Sequence, residues 1–250
     1  MFAWTIRNMK YLVAIQNKKP KSLNGHLTTL AKVVEKTECG VPSSPANGQL
    51  FYSEMFFEVG KVVSLSCNTG YRILTGPPEC LGTGSWTDSA CVQACDFETT
   101  CNALVTDSTA DSVFEENSGR TPSDSTGCTE DHTTGGGNYY YFEASSPRQQ
   151  GDTARLETTF SVPIGVQICV SLWYHMYGHS MGSLRINTKD SAGTQTNSQV
   201  IASGDQGQQW HQSTKTFPAQ SNTVWIVIEG IRGSATKSDI CIDDIEIYGC

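Results

Sequence analysis

Four stretches of the chain carry β-branched and aromatic residues in short runs fenced by Gly and Ser clusters: 166–174, 183–187, 224–229 and 240–248. Residues 183–187 alternate strictly, with Leu184 and Ile186 between Ser183, Arg185 and Asn187, the pattern of a strand buried on one face. A further run, 59–67, is rich in Val and ends on Cys67, and it reads as a strand as well. Helical periodicity is almost absent, and 27–34 is the one short candidate. Many short strands between turn residues predict an all-β protein whose long C-terminal part is a sandwich.

Cysteine usage narrows this picture. All ten cysteines fall between Cys39 and Cys250, an even number that fits disulfides formed in an oxidising compartment. No C-x-x-C pair occurs, so a zinc ribbon or finger is not expected. Residues 39–91 hold four of the cysteines in a segment too short to bury a self-sufficient core, so bridges must supply stability there. Four cysteines leave more than one connectivity open.

The net charge of −8 is unevenly spread. Residues 1–38 carry seven basic and two acidic side chains, whereas 95–250 carry eight basic and nineteen acidic ones, a net of about −11. An acidic body lacks the clustered Lys and Arg that nucleic acid demands, and it suits cations or basic partners. No apolar run is long enough to span a bilayer. The run from Met9 to Ile15 begins like a signal peptide, but it stops at Gln16 without a cleavage site. Residues 1–38 therefore read as a disordered, processed or artefactual segment, and the cysteines point to a secreted chain or an ectodomain. No N-x-[ST] acceptor occurs.

Two motifs invite chemistry. Gly178-His-Ser180-Met-Gly182 spells G-x-S-x-G, which in serine hydrolases exposes the nucleophile on a strand-to-helix turn. Here an alternating, strand-like segment follows, so the structural context for a hydrolase is missing, although Asp205 and His211 lie downstream. His175 and His179 would share a face of a strand and could hold zinc, yet no third ligand is evident. The plainer expectation is a buried strand end at 172–174 followed by a glycine-bounded turn at 178–182.

The marks of residues 39–91 are specific: four cysteines, Val59-Gly-Lys-Val-Val-Ser-Leu-Ser-Cys67, Asn68-Thr-Gly-Tyr71, and Trp86 shortly before Cys91. This segment resembles a sushi (complement control protein) module, which implies Cys39–Cys80 and Cys67–Cys91 bridges and a core role for Trp86. Residues 92–94 leave almost no linker. From Cys95 onward the chain resembles a MAM domain (meprin, A5 antigen, receptor phosphatase mu) over its whole remaining length. The resemblance is carried by Cys95-Asp-Phe-Glu-Thr-Thr-Cys101, Asp131-His-Thr-Thr, Tyr139-Tyr-Tyr-Phe-Glu-Ala-Ser145, Trp173-Tyr-His-Met-Tyr-Gly178, Ile228-Glu-Gly-Ile-Arg-Gly233 and Asp239-Ile-Cys-Ile-Asp-Asp-Ile245.

That resemblance implies a jelly-roll-like sandwich with Cys95–Cys101 and Cys169–Cys250 bridges. Cys241 stands where relatives commonly have a small residue, so Cys128 and Cys241 are expected to form an additional bridge. The resemblance also implies a structural cation, calcium by preference, held by Glu98, Asp131 and Asp244, with Asp243 as a substitute and His132 in a structural role. It implies a non-enzymatic extracellular recognition or adhesion unit that binds a protein partner, homophilic binding included. The alternative is an accessory region of a larger secreted or membrane protein such as a metalloprotease or receptor.

Overall fold

A computed structural model describes residues 37–98, 101 and 103–250. The basic segment 1–38 and its candidate helix lie almost wholly outside these residues. The first module is built from five short strands: β1 (Glu38–Cys39), β2 (Gly48–Phe51), β3 (Phe57–Glu58), β4 (Ser64–Cys67) and β5 (Tyr71–Ile73). β1 pairs β3 and β2 pairs β4, both antiparallel. Leu50, Phe57 and Val63 bury themselves against the Cys39–Cys80 bridge, with Leu65 and Trp86 packed alongside. The Trp86 indole N–H donates to Gly40 O at 2.8 Å. A second bridge, Cys67–Cys91, ties the far end.

The run 59–67 does not form one strand. Gly60 adopts φ +85° and turns the chain, its N–H donating to Cys80 O while the Lys61 N–H donates to Glu58 O. The Val-rich pattern reflects burial of Val63 rather than continuous pairing.

Residues 92–94 lie inside a strand, β6 (Cys91–Cys95), that belongs to both modules. The sandwich follows with β7 (Val105–Thr106), β8 (Glu115–Ser118), β9 (Asn138–Phe142), β10 (Thr153–Ser161) and β11 (Gln167–Met176). It closes with β12 (Ser183–Lys189), β13 (Gln195–Ser203), β14 (His211–Pro218), β15 (Thr223–Ile231) and β16 (Ile240–Gly249). One sheet has the order β13-β12-β15-β10-β7. The other runs β14-β11-β16-β6-β5, with β9 on β16 and β8 on β9. β5 of the first module therefore extends a sandwich sheet. Buried Gln93 of β6 reaches across to the opposite sheet, where its amide donates to Thr158 Oγ1 at 2.9 Å.

Between the sheets lie Leu156, Ile168, Leu172, Leu184, Ile186, Phe217, Ile226 and Ile228, all essentially inaccessible. Each such side chain contributes on the order of 2 kcal/mol of burial. Further bridges join Cys95 to Cys101, Cys128 to Cys241 and Cys169 to Cys250.

Candidate functional site

β16 is the strand on which the site is built. Its first half pairs β9, with Cys241 opposite Tyr141, and its second half pairs β6, with Ile245 opposite Cys95. At the change of partner it also slips against β11: Ser171 faces Glu246, but Trp173 faces Asp243, so β16 holds one extra residue there. Asp244 takes φ +44° within this bulge. A bulge breaks the alternation of faces and re-aims side chains.

The bulge brings Asp243 and Asp244 to the loop 128–137. Asp243 Oδ2 accepts the His132 N–H at 3.0 Å, and its Oδ1 accepts the N–H of Asp244 at 2.8 Å. The His132 ring Nδ1 donates to Asp244 Oδ2 at 2.7 Å, and the Thr133 hydroxyl donates to the same oxygen. The imidazole stacks on Trp173 with ring centroids 3.6 Å apart. The loop's other end is fixed by the Cys128–Cys241 bridge, which packs with Tyr139, Tyr141 and Trp210.

Asp131 organises the loop from within. Its carboxylate accepts N–H bonds from Thr133, Thr134 and Gly137 at 3.1, 2.7 and 2.8 Å. Burial raises its pKa, but those bonds and the Thr134 hydroxyl outweigh burial and hold the group below the ordinary carboxylate value. Glu98 Oε1 accepts the Asn138 N–H at 3.0 Å. A Cβ on Gly137 would stand 1.7 Å from that same oxygen, so glycine is what lets Glu98 approach. Asp243 behaves differently: burial, then the charges of Asp244 and Asp131, push it up to about 7 despite its two N–H donors.

Glu98, Asp131 and Asp244 thus border one loop, and oxygen-only donors suit a hard cation. Each is already engaged by N–H or O–H donors, and their oxygens do not gather within 4.8 Å of one another. Their chemistry fits such an ion; their spacing does not offer three carboxylates to a single one. Sequence reasoning placed His132 in a structural role without finding its partners, Trp173 and Asp244, which become its neighbours only through the tertiary fold.

The zinc pair is not assembled. His175 is buried and His179 exposed. Among the described residues the one close cluster of three His, Cys or acidic side chains is His175 with Cys128 and Cys241, but both sulfurs are spent in a disulfide and present no thiolate. Burial first, then the nearby His211, lowers the His175 pKa to about 4, so the ring is neutral, and its Nδ1 has no hydrogen-bond partner.

The G-x-S-x-G segment is a turn between β11 and β12 with no helix after it. Ser180 is buried, its Oγ has no hydrogen-bond partner, and its N–H donates to Lys237 O. His211 instead meets Gln206 O through Nε2, and Asp205 accepts the Gly178 and Gly207 N–H groups. The glycines answer a packing need. A Cβ at Gly182 would lie 1.9 Å from Ile231 O, and one at Gly178 2.3 Å from Lys237 O.

An open cleft of about 150 Å³ lies where the modules meet, lined by Tyr71, Arg72, Asp96, Asp244 and Glu246 among others. Arg72 and Glu246 form an ion pair across it. The first module also exposes Phe51, Tyr52, Met55, Phe56, Val59 and Val62, with Met55 68% and Phe56 65% accessible. Among the described residues no helix is long and apolar enough to cross a membrane.

Comparison with known proteins agrees with this architecture. The MAM domain family (meprin/A5/mu) matches residues 95–250, and the Sushi repeat (SCR repeat) matches 39–95. MAM domain-containing glycosylphosphatidylinositol anchor protein 1 of Gallus gallus is 37% identical over 110 residues, covering 42% of this chain and 11% of that protein. The human anchor protein 2 is 34% identical over 116 residues, covering 42% of this chain and 12% of that protein. Neuropilin-1a of Danio rerio is 31% identical over 133 residues, covering 52% of this chain and 14% of that protein. The matched stretch thus spans little more than a tenth of these relatives' lengths.

Proposed function

Because this chain belongs to the MAM family, with a Sushi repeat ahead of its MAM domain, we propose that it is a non-enzymatic extracellular recognition unit that binds a protein partner through its sushi face. Both module types are extracellular interaction modules, and five disulfides suit an oxidising compartment. The observation that carries the reading is the set of exposed apolar side chains between Phe51 and Val62. Exposed apolar surface of this kind marks interaction sites more than it marks ordinary solvent-facing surface. Ser180, lacking a hydrogen-bonded base, supports the non-catalytic part.

The partner is a second copy of the chain or another extracellular protein, and bead aggregation separates these. Beads coated with the oxidised chain should cluster if binding is homophilic, and M55D/F56D should abolish clustering. Failure of the double variant to reduce either self-association or capture of a cell-surface ligand sinks the sushi-face assignment. The short share of the relatives' length supports a second reading, in which the pair serves as an accessory region within a larger secreted or membrane-anchored protein.

The calcium reading at Glu98, Asp131 and Asp244 rests on their oxygen-only donors around one loop, with fewer than all three as direct ligands, and is supported by Asp243, which burial first and then the charges of Asp244 and Asp131 push up to about 7. Calcium should raise the melting temperature of the wild type and not that of Asp244→Asn. A melting curve indifferent to calcium and chelator ends that reading.

A further inference from the structure

A different pair of carboxyl groups is only partly satisfied by donors. Asp239 immediately precedes β16, and its side chain is 0% exposed. Its Oδ1 accepts the Ala144 N–H at 3.0 Å, whereas its Oδ2 has no donor at all. What faces it is the carboxyl group of Glu143, in direct contact, together with the Thr121 side chain. Glu143 follows β9 and is half-buried; its Oε1 accepts the Ser145 N–H at 2.8 Å and the Ser123 hydroxyl at 3.4 Å. The Ser123 and Ser145 hydroxyls lie 3.1 Å apart.

Among the described residues no cation forms an ion pair with either carboxyl group. Arg232 is buried close by, but its Nε donates to Ala144 O at 2.7 Å and its guanidinium also reaches Gly233 O. Lys237 gives its ammonium to Asp124 O. Two touching carboxyl groups, one wholly buried, must hold either a proton or a cation between them. Burial first, then the Glu143 charge, raises Asp239 to about 7 against the Ala144 N–H, so near neutral pH the proton is loosely held.

The donors here are oxygens only. They come from separate segments: Thr121 and Ser123 from one loop, Glu143 and Ser145 from the end of β9, and Asp239 from the start of β16. Such a set suits a large cation that tolerates irregular oxygen ligation and keeps some water, and it does not suit one that demands a regular octahedron. Half-exposed Glu143 provides the way in.

We propose that Asp239 and Glu143, with the hydroxyls of Thr121, Ser123 and Ser145, form a binding site for a calcium-like hard cation, one that clamps the 119–128 loop to the ends of β9 and β16. On binding, the ion replaces the shared proton, which leaves to solvent. The site uses none of Glu98, Asp131 and Asp244 and stands whether or not that set takes an ion.

Terbium serves as the probe, because its emission is sensitised by nearby tyrosines, and the charge of Asp239 is felt by both Tyr139 and Tyr141. The whole oxidised chain is titrated as wild type, Asp244→Asn, Asp239→Asn and Glu143→Gln, with circular dichroism to confirm folding. Saturable emission displaced by calcium is expected in the wild type and in Asp244→Asn. At least tenfold weaker binding is expected in Asp239→Asn and Glu143→Gln. Glu143→Gln, on a half-exposed side chain, carries the test if Asp239→Asn does not fold. The proposal is overturned if the folded variants titrate like the wild type, if Asp244→Asn alone abolishes emission, or if the wild type gives no saturable signal.

Discussion

His132 and Asp244 are joined through Nδ1 and Oδ2 at 2.7 Å, although 112 positions separate them in the chain. This bond, with the stack of His132 on Trp173, docks the 128–137 loop onto the bulged strand. Asp244 also accepts the Thr133 hydroxyl while occupying a left-handed conformation that Asp and Asn tolerate better than Ala. Asp244→Ala should therefore destabilise by about 2 kcal/mol or more, and Asp244→Asn by clearly less. Urea unfolding of the two variants checks the order; equal costs would remove the conformational part of the argument.

The Cys128–Cys241 bridge closes a loop of 113 positions in sequence and lies at one end of the site. C128A/C241A should lose about 3–5 kcal/mol. Amide exchange should accelerate at 128–137 before it accelerates in β11. Uniform acceleration across the sandwich would mean that the bridge does not act locally.

Asp243 and His175 give opposite pH dependences. Asp243 holds its proton up to about 7 in the folded chain, against an ordinary value of 3.8. Between those values the folded state carries a proton the unfolded state lacks, so this contribution to stability falls as pH rises, by at most about 1.4 kcal/mol per unit. Above the folded value it is flat. His175, held at about 4 instead of 6.5, refuses a proton that the unfolded chain accepts. Its contribution rises with pH across that window. Asp243→Asn removes only the first slope, so its stability relative to wild type should improve from about pH 5 to about pH 8. A constant difference between the two midpoints would contradict the raised carboxyl.

Ser180 is a buried hydroxyl without a partner. Ser180→Ala removes an unsatisfied polar group at almost constant shape and should be neutral or stabilising by up to about 1 kcal/mol. Ester turnover, if any contaminating activity is present, should be identical in both proteins. A loss of turnover in the variant would restore the hydrolase reading.

The sequence by itself determined four of the sandwich strands and the class of the fold. The runs at 166–174, 183–187, 224–229 and 240–248 became β11, β12, β15 and β16 because apolar spacing is a local property, and burial on a sheet rewards it directly. It also marked Asp131, His132 and the Asp243-Asp244 pair as unusual. Where one glycine diverted the path, as at Gly60, the local pattern misled, since of the three valines only Val63 is buried and no continuous strand forms. Only the tertiary structure decided what the acidic residues do. Consecutive side chains on a regular strand point to opposite faces. Asp243 and Asp244 both reach His132 because β16 gains a residue where Trp173 faces it, a register fact held by β11. Likewise the N–H groups that satisfy Asp131, and the absence of any for Asp239 Oδ2, depend on how distant segments fold back on one another. The chain's local pattern records which residues are polar, whereas the donor each one finds is set by packing.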